Sequence, residues 1–366
     1  MSIESAIAVH VPRARALDDP RARRILCFVI GVTLASAYAT FFNWSYSFLM
    51  VMFANNFLTM PMRSAPSLRF AVSTVVKMIA CVGLGLVLML LLHSFQLFGF
   101  ALAALLLFLA FYLQAQGRIG GSDVMCVIIG CTIVPAFGSS SMDTGVLMAK
   151  GISKNILAVF PLVWIAFAVV PGGVLPRLPK EPRVEGTSAD RGLLALRSVL
   201  VLLPLFVFML SSDNNTRYLI GYMKAAIISQ VAVRETARKF AGDLFMATLI
   251  GCTAGVIMWW LMKLWPSWLW FLLLMALFSL VSASRIFSAS GGLQPNALRW
   301  SYGLTTLVLI LFPAAMSQGF TGDDVDMKFY QRILDFAFVI SYTIFAVLLY
   351  DAVVAHLRRA FGRSPS

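Results

Sequence analysis

Ionisable and amide side chains inside apolar runs are where this sequence can do chemistry. A charge near the middle of a bilayer costs at least about 2.5–3.5 kcal/mol on insertion scales, so it normally faces a partner or a polar interior. Lys77 lies about two turns into the apolar run 70–92, and Lys224 lies midway along the run 219–230. Asn55 and Asn56 sit late in the run 47–60. Together these residues can line one positively biased cavity, which suits a carboxylate anion. Each also has a plainer reading. A lysine can extend its ammonium to the membrane surface, and an asparagine can bond two helices together. Arg197, near the start of the run 193–210, either faces the route or anchors a helix end. Gln114 and Gln116 end the run 98–115 near Arg118, where they line a cytoplasmic mouth or are simply solvated. Asp335 and Asp351 pair with cations or carry a coupling proton. Pro135 and Pro313 are read as helix breaks, because proline removes a backbone donor and kinks a helix. Matched breaks in two related halves point to a transport site.

Other chemistries lack their residues. There is no GxxxxGK[ST] loop for ATP, no GxSxG and no HExxH. His10, His93 and His356 are far apart, and the five cysteines have no CxxC spacing, so no metal and no cofactor are expected. The chain is therefore expected not to be an enzyme, and to draw any energy from an ion or substrate gradient.

The elements that would hold these residues are transmembrane helices. Of 366 residues, 60% are hydrophobic and 12% charged, about half the charged share of a soluble protein; the mean hydropathy is +0.86. At roughly 25–30 residues for a span with its loop, the chain has room for about twelve. The net charge of +13 is spread among loops without a basic aromatic stripe, which argues against nucleic acid and for a bilayer as the partner.

A basic tail, 1–24, precedes the first run, 25–42. Ala35, Ser36 and Ala37 could imitate a signal-peptide cleavage site, but the run continues through Tyr38 to Phe42. Further runs at 47–60, 70–92, 98–115, 124–137 and 152–170 complete a first membrane unit, 25–170. The short runs 47–60 and 124–137 imply tilt or partial burial. The stretch 171–191 is rich in proline, glycine and charge and reads as a cytoplasmic linker.

A second unit, 192–355, repeats the rhythm with runs at 193–210, 219–230, 241–261, 268–281, 302–315 and 333–353, and 356–366 forms a second tail. The halves correspond at an offset of roughly 170–180 residues. Gly85 answers Gly255, and Ile133-Val134-Pro135-Ala136 answers Leu311-Phe312-Pro313-Ala314. Lys224 falls close to Asn55. The expected fold is all-α, with about twelve spans in two parallel six-helix repeats. Arg and Lys concentrate in the even loops and the tails, so both termini are expected on the cytoplasmic side. The last odd loop carries Asp323, Asp324 and Asp326.

Several stretches resemble one family. They are RRILCFVIGVTLASAYATFFNW, PSLRFAVSTVVKMIACVGLGLVLMLLL, LLLFLAFYLQAQG, LRSVLVLLPLFVFML and SASRIFS. Together they are similar to the aromatic acid exporter and fusaric acid resistance superfamily, in a bacterial branch known only as a domain of unknown function. The resemblance spans about residues 22–357. It implies two six-span repeats in the inner membrane, secondary efflux of small organic anions such as aromatic carboxylates, and a HlyD-like periplasmic adaptor as partner. Larger relatives carry a cytoplasmic domain between the halves, where this chain has only the linker. Two other readings stay open: a passive anion channel of the same fold, as in related plant malate channels, and a non-transporting membrane scaffold or lipid-acting enzyme.

Overall fold

The computed structural model describes residues 19–60, 64–170, 188–211 and 234–318, with single positions at 222–226 and 330–353. The tail up to residue 18, most of the linker, Lys224 with most of its run, Asp335, Asp351, the loop from Asp323 to Asp326 and the end of the chain lie outside the described residues. Among the described residues every regular element is a helix, and one isolated bridge joins Phe287 and Leu293. Among the described residues, eight helices are long and apolar enough to cross a bilayer. The protein is all-α and membrane-embedded.

The long helices are α1 (Pro20–Phe42), α3 (Leu68–Ser94), α4 (Gln96–Ala115), α5 (Gly121–Ser140), α6 (Met142–Val169), α7 (Ser188–Leu210), α8 (Arg234–Leu264) and α9 (Trp268–Ile286). Between them lie α2 (Phe48–Thr59) and, after them, α10 (Ala297–Gln318). Side-chain caps set several starts: Asp19 accepts from Arg21 N, Ser67 from Phe70 N, Ser141 from Thr144 N and Ser267 from Trp270 N. An apolar helix spans 337–350.

At 12 residues, α2 is about 18 Å long, too short for a hydrocarbon core of about 30 Å. It is a core helix. Ten of its residues are buried, against α1, α6 and α10. By contrast, α3 exposes Val72, Val76, Ile79, Leu84, Val87 and Leu90. Apolar surface of that extent is what lipid solvates.

Two helix pairs repeat a pattern. In the first, α3 and α5 run parallel. Lys77 Nζ lies 2.8 Å from Asp123 Oδ1, and the helices then cross at glycines. A Cβ on Gly85 would fall on the carbonyl oxygen of Gly130, and one on Gly130 on that of Cys81. In the second pair, α8 and α10 are also parallel. Arg299 Nη2 lies 2.6 Å from Asp243 Oδ1. A Cβ on Gly251 would lie 2.5 Å from Gly303 O, and one on Gly303 3.3 Å from Ala247 O. Lys77 and Asp243, like Gly85 and Gly251, are 166 positions apart. Gly85 and Gly251 thus share a packing role, each facing a backbone carbonyl of the parallel helix.

The prolines behave differently from each other. Pro135 follows a π turn, Ile129–Ile133, in which Val134 N–H bonds Ile129 O. The wide turn accommodates a ring that would otherwise press on the preceding turn. Pro313 sits within α10, which continues to Gln318 as α-helix. The α-helix is thus interrupted just before Pro135 by a π turn, whereas it continues through Pro313.

Candidate functional site

A cavity of about 380 Å³ lies between α2, α3, α5, α6, α9 and α10. Its position follows from chain direction. The ends of α2 and α9 and the starts of α3, α5 and α10 all contribute, so it opens at the face of the bundle where α1 begins. Contacts fix that face: Arg21 Nη2 donates to Ser284 O at 2.8 Å, and Arg24 Nη2 to Met60 O at 3.1 Å. At the opposite end of α1, Trp268 Nε1 donates to Thr40 Oγ1. Ser122, Leu293 and Leu298 are exposed at the rim, whereas Met52, Phe53, Ile129 and Ile156 are buried at the depth.

The lining is mainly apolar and rich in thioethers, from Met52, Met60, Met78 and Met125. Such side chains adapt to flat apolar ligands. Polar groups come from Asn56, Thr59, Thr74, Ser122, Ser301 and Tyr302. Two of the hydroxyls are turned to their own backbone: Thr74 Oγ1 donates to Phe70 O at 2.9 Å, and Thr59 Oγ1 to Asn55 O at 2.8 Å. None of the described lining residues is an Asp, Glu, Lys or Arg.

Of the residues singled out from sequence, Asn56 lines this cavity. Asn55 stands behind its wall, 1% exposed. Its amide nitrogen donates to Ser301 O at 3.0 Å, Ser301 Oγ at 3.2 Å and Thr305 Oγ1 at 2.8 Å, clasping α2 to α10. This is the interhelical role. Asn55→Leu is expected to cost about 1–2 kcal/mol, read as a lower melting temperature of the purified protein.

Lys77 does not enter the cavity. It sits between the lining residues Thr74 and Met78 but points outward, half-exposed and paired with Asp123 beside the rim. Arg197 is buried, about nine residues into α7, where that helix packs on α4 and the second half of α5. It is neither in the cavity lining nor at a helix end, because α7 starts earlier than the apolar run suggests. Gln114 is half-buried in the last turn of α4, outside the lining. Pro135 and Pro313 do not line it either. Lys224 lies outside the described residues; two positions before it, Tyr222 is buried. The described residues contain no cluster of His, Cys, Asp or Glu fit to hold a metal ion.

Ser301, Tyr302, Ser122 and Thr74 are site residues that the sequence does not announce. A hydroxyl in an apolar helix normally bonds its own preceding turn, so its presence says nothing about a cavity. No protein-family model, no curated protein and no solved structure matches the chain. A functional reading must stand on the geometry.

Proposed function

We propose that the protein is a secondary transporter of the bacterial inner membrane, exporting small aromatic carboxylates or similar organic anions together with a HlyD-like periplasmic adaptor. The observation that carries transport is the cavity: a ligand-sized space open at one face of the bundle, with buried apolar side chains closing its depth. A site accessible from one side at a time is what alternating access requires. The apolar, thioether-rich walls suit an aromatic ring. Asn56, Ser122, Ser301 and Tyr302 are hydrogen-bond donors for a carboxylate, and Lys224 is the cation proposed to balance its charge.

The architecture proposed with this function is about twelve helices in two parallel six-helix repeats, α2 among them as a short core helix, with both termini cytoplasmic. The two parallel helix pairs, each with an ion pair before a glycine crossing, support the repeat. The cavity then opens to the cytoplasm, as an exporter loading its substrate would.

The test is loss of a panel of aromatic carboxylates from cells with and without the protein, with the adaptor co-expressed. One or more acids are expected to leave faster. Met125→Trp, which fills the cavity, and Lys224→Ala are each expected to reduce that export at least about tenfold while the protein still reaches the membrane. An unchanged panel, with wild-type protein verified in the membrane, overturns the exporter reading.

A further inference from the structure

The depth of the cavity leads to a second, much smaller space. Met52, Phe53 and Ile129 belong to both. The second space holds about 10 Å³ and is lined by these three with Leu49, Ile133, Met148 and Ile152. All seven side chains are apolar and at most 6% exposed. A space of that size admits one water at most, and a water there would find no side-chain partner. It is dry.

Beyond it comes an aromatic cap. Tyr46 packs its ring on Phe137, with centroids 5.5 Å apart. The turn carrying Tyr46 is held by Asn155 of α6, which is fully buried. Asn155 Nδ2 donates to Tyr46 O at 2.8 Å, and Asn155 Oδ1 accepts from Trp44 Nε1 at 3.0 Å. Along α5 the order is Cys126 and Ile129 in the cavity, Ile129 and Ile133 at the dry space, then Phe137 at the cap. Along α2 it is Phe57 and Phe53, then Met52 and Leu49, then Tyr46. The three features are therefore stacked in one column between α2, α5 and α6.

We infer that the substrate's route runs from the cavity along this column, whose gate and cap lie inside the first half of the chain, with Phe53, Ile129 and Ile133 as its closed gate and the turn held by Asn155 as its far cap. The inference rests on the transporter reading, and it leads the route from a cavity shared by the two halves into the first half alone. The gate is hydrophobic: it blocks ions and water by staying dry, with no charge needed. The π turn Ile129–Ile133 supplies a means of opening. It holds one residue more than an α turn, and converting it to α geometry would rotate Ile129 by about 100° relative to Phe137.

The experiment uses full-length protein in liposomes and reads two fluxes: iodide entry onto a quenched dye, and release of loaded benzoate. Phe53→Ala shortens the plug, and Ile133→Asn gives water a partner. Each is expected to raise iodide flux at least about tenfold over wild type. Phe271→Ala removes the same ring from the packing of α9 on Phe312 and is expected to leave the flux unchanged. Gate variants that leak no more than Phe271→Ala, while wild-type protein moves benzoate, overturn the route and spare the transporter. Gate variants that leak, beside wild-type protein that moves no acid, support the column as a path and overturn the transporter.

A second readout needs no leak. With Cys27, Cys81, Cys126, Cys131 and Cys252 replaced by alanine, Met125→Cys, which lines the cavity alone, is expected to react with a small water-soluble thiol reagent, and Leu49→Cys to stay unreacted. Equal labelling of the two would mean a wet column and would overturn the gate.

Discussion

Gly130→Val is expected to leave little folded protein in the membrane, whereas Gly83→Val is expected to be silent. Gly130 lies in the π turn of α5, where a Cβ would fall on the carbonyl oxygen of Cys81. The obstacle is backbone, not the tip of a flexible side chain. It can yield only if α3 and α5 separate, and Gly85 presses on Gly130 from the same crossing. Overpacking a close contact of this kind costs about 3 kcal/mol or more. Gly83 is two residues from Gly85 on the same helix but has nothing within 4 Å of its added Cβ. The second half grades the same effect. Gly251→Val should be nearly as damaging as Gly130→Val, with Gly303 O and Thr306 in its way. Gly303→Ala should be mild, since its nearest neighbours would lie 3.3 Å off. Thermal melting of each detergent-solubilised variant reads the series. A wild-type melting temperature for Gly130→Val would show that the crossing is not close.

How much of this could be read from the sequence depends on what lipid does to patterns. Helix positions were readable because hydrophobic runs are unambiguous: 70–92, 98–115 and 268–281 all fall within α3, α4 and α9. The runs understate the helices where polar caps extend them. Thus α6 starts at Met142, ten residues before its apolar run, because Ser141 caps it and Gly145 then packs on Gly138. The direction of Lys77 was not readable. In water, the polar face of a helix points outward. On α3 the exposed Val72, Val76 and Ile79 are as apolar as the buried Ala71, Met78 and Val82, so periodicity does not say which side faces lipid. The same ambiguity hid the cavity. Asn56 stood out as an amide in an apolar run, but its neighbours in space, Ser301 and Tyr302, come from a helix some 245 positions away.

The other large effect is expected at Asp243. Asp243→Asn should destabilise the protein by about 2 kcal/mol, while Lys77→Ala, at the matching place in the first half, should change stability by no more than about 1 kcal/mol. The difference is burial. Asp243 is 8% exposed, and its Oδ1 accepts from Arg299 Nε at 2.7 Å and Nη2 at 2.6 Å. Neutralising it leaves the Arg299 guanidinium at best an uncharged amide oxygen in place of its counter-charge. Since about a third of the Arg299 side chain reaches the surface, solvent recovers part of the 3–5 kcal/mol that breaking a fully buried pair would cost. The first-half pair is half-exposed at Lys77 and a third exposed at Asp123, so both ions keep other company when parted. The signs are also exchanged between the halves. The cation stands on α3 and the anion on α5, but the anion stands on α8 and the cation on α10. This exchange supplies a sharper test. If the pair serves as a latch between parallel helices, its polarity is immaterial, and the double reversal Asp243→Lys with Arg299→Asp should recover most of the melting temperature that either single reversal loses. Failure of the double variant to recover, with both singles destabilised, would mean that Asp243 or Arg299 is held by the chemistry of its own surroundings rather than by its partner across the crossing.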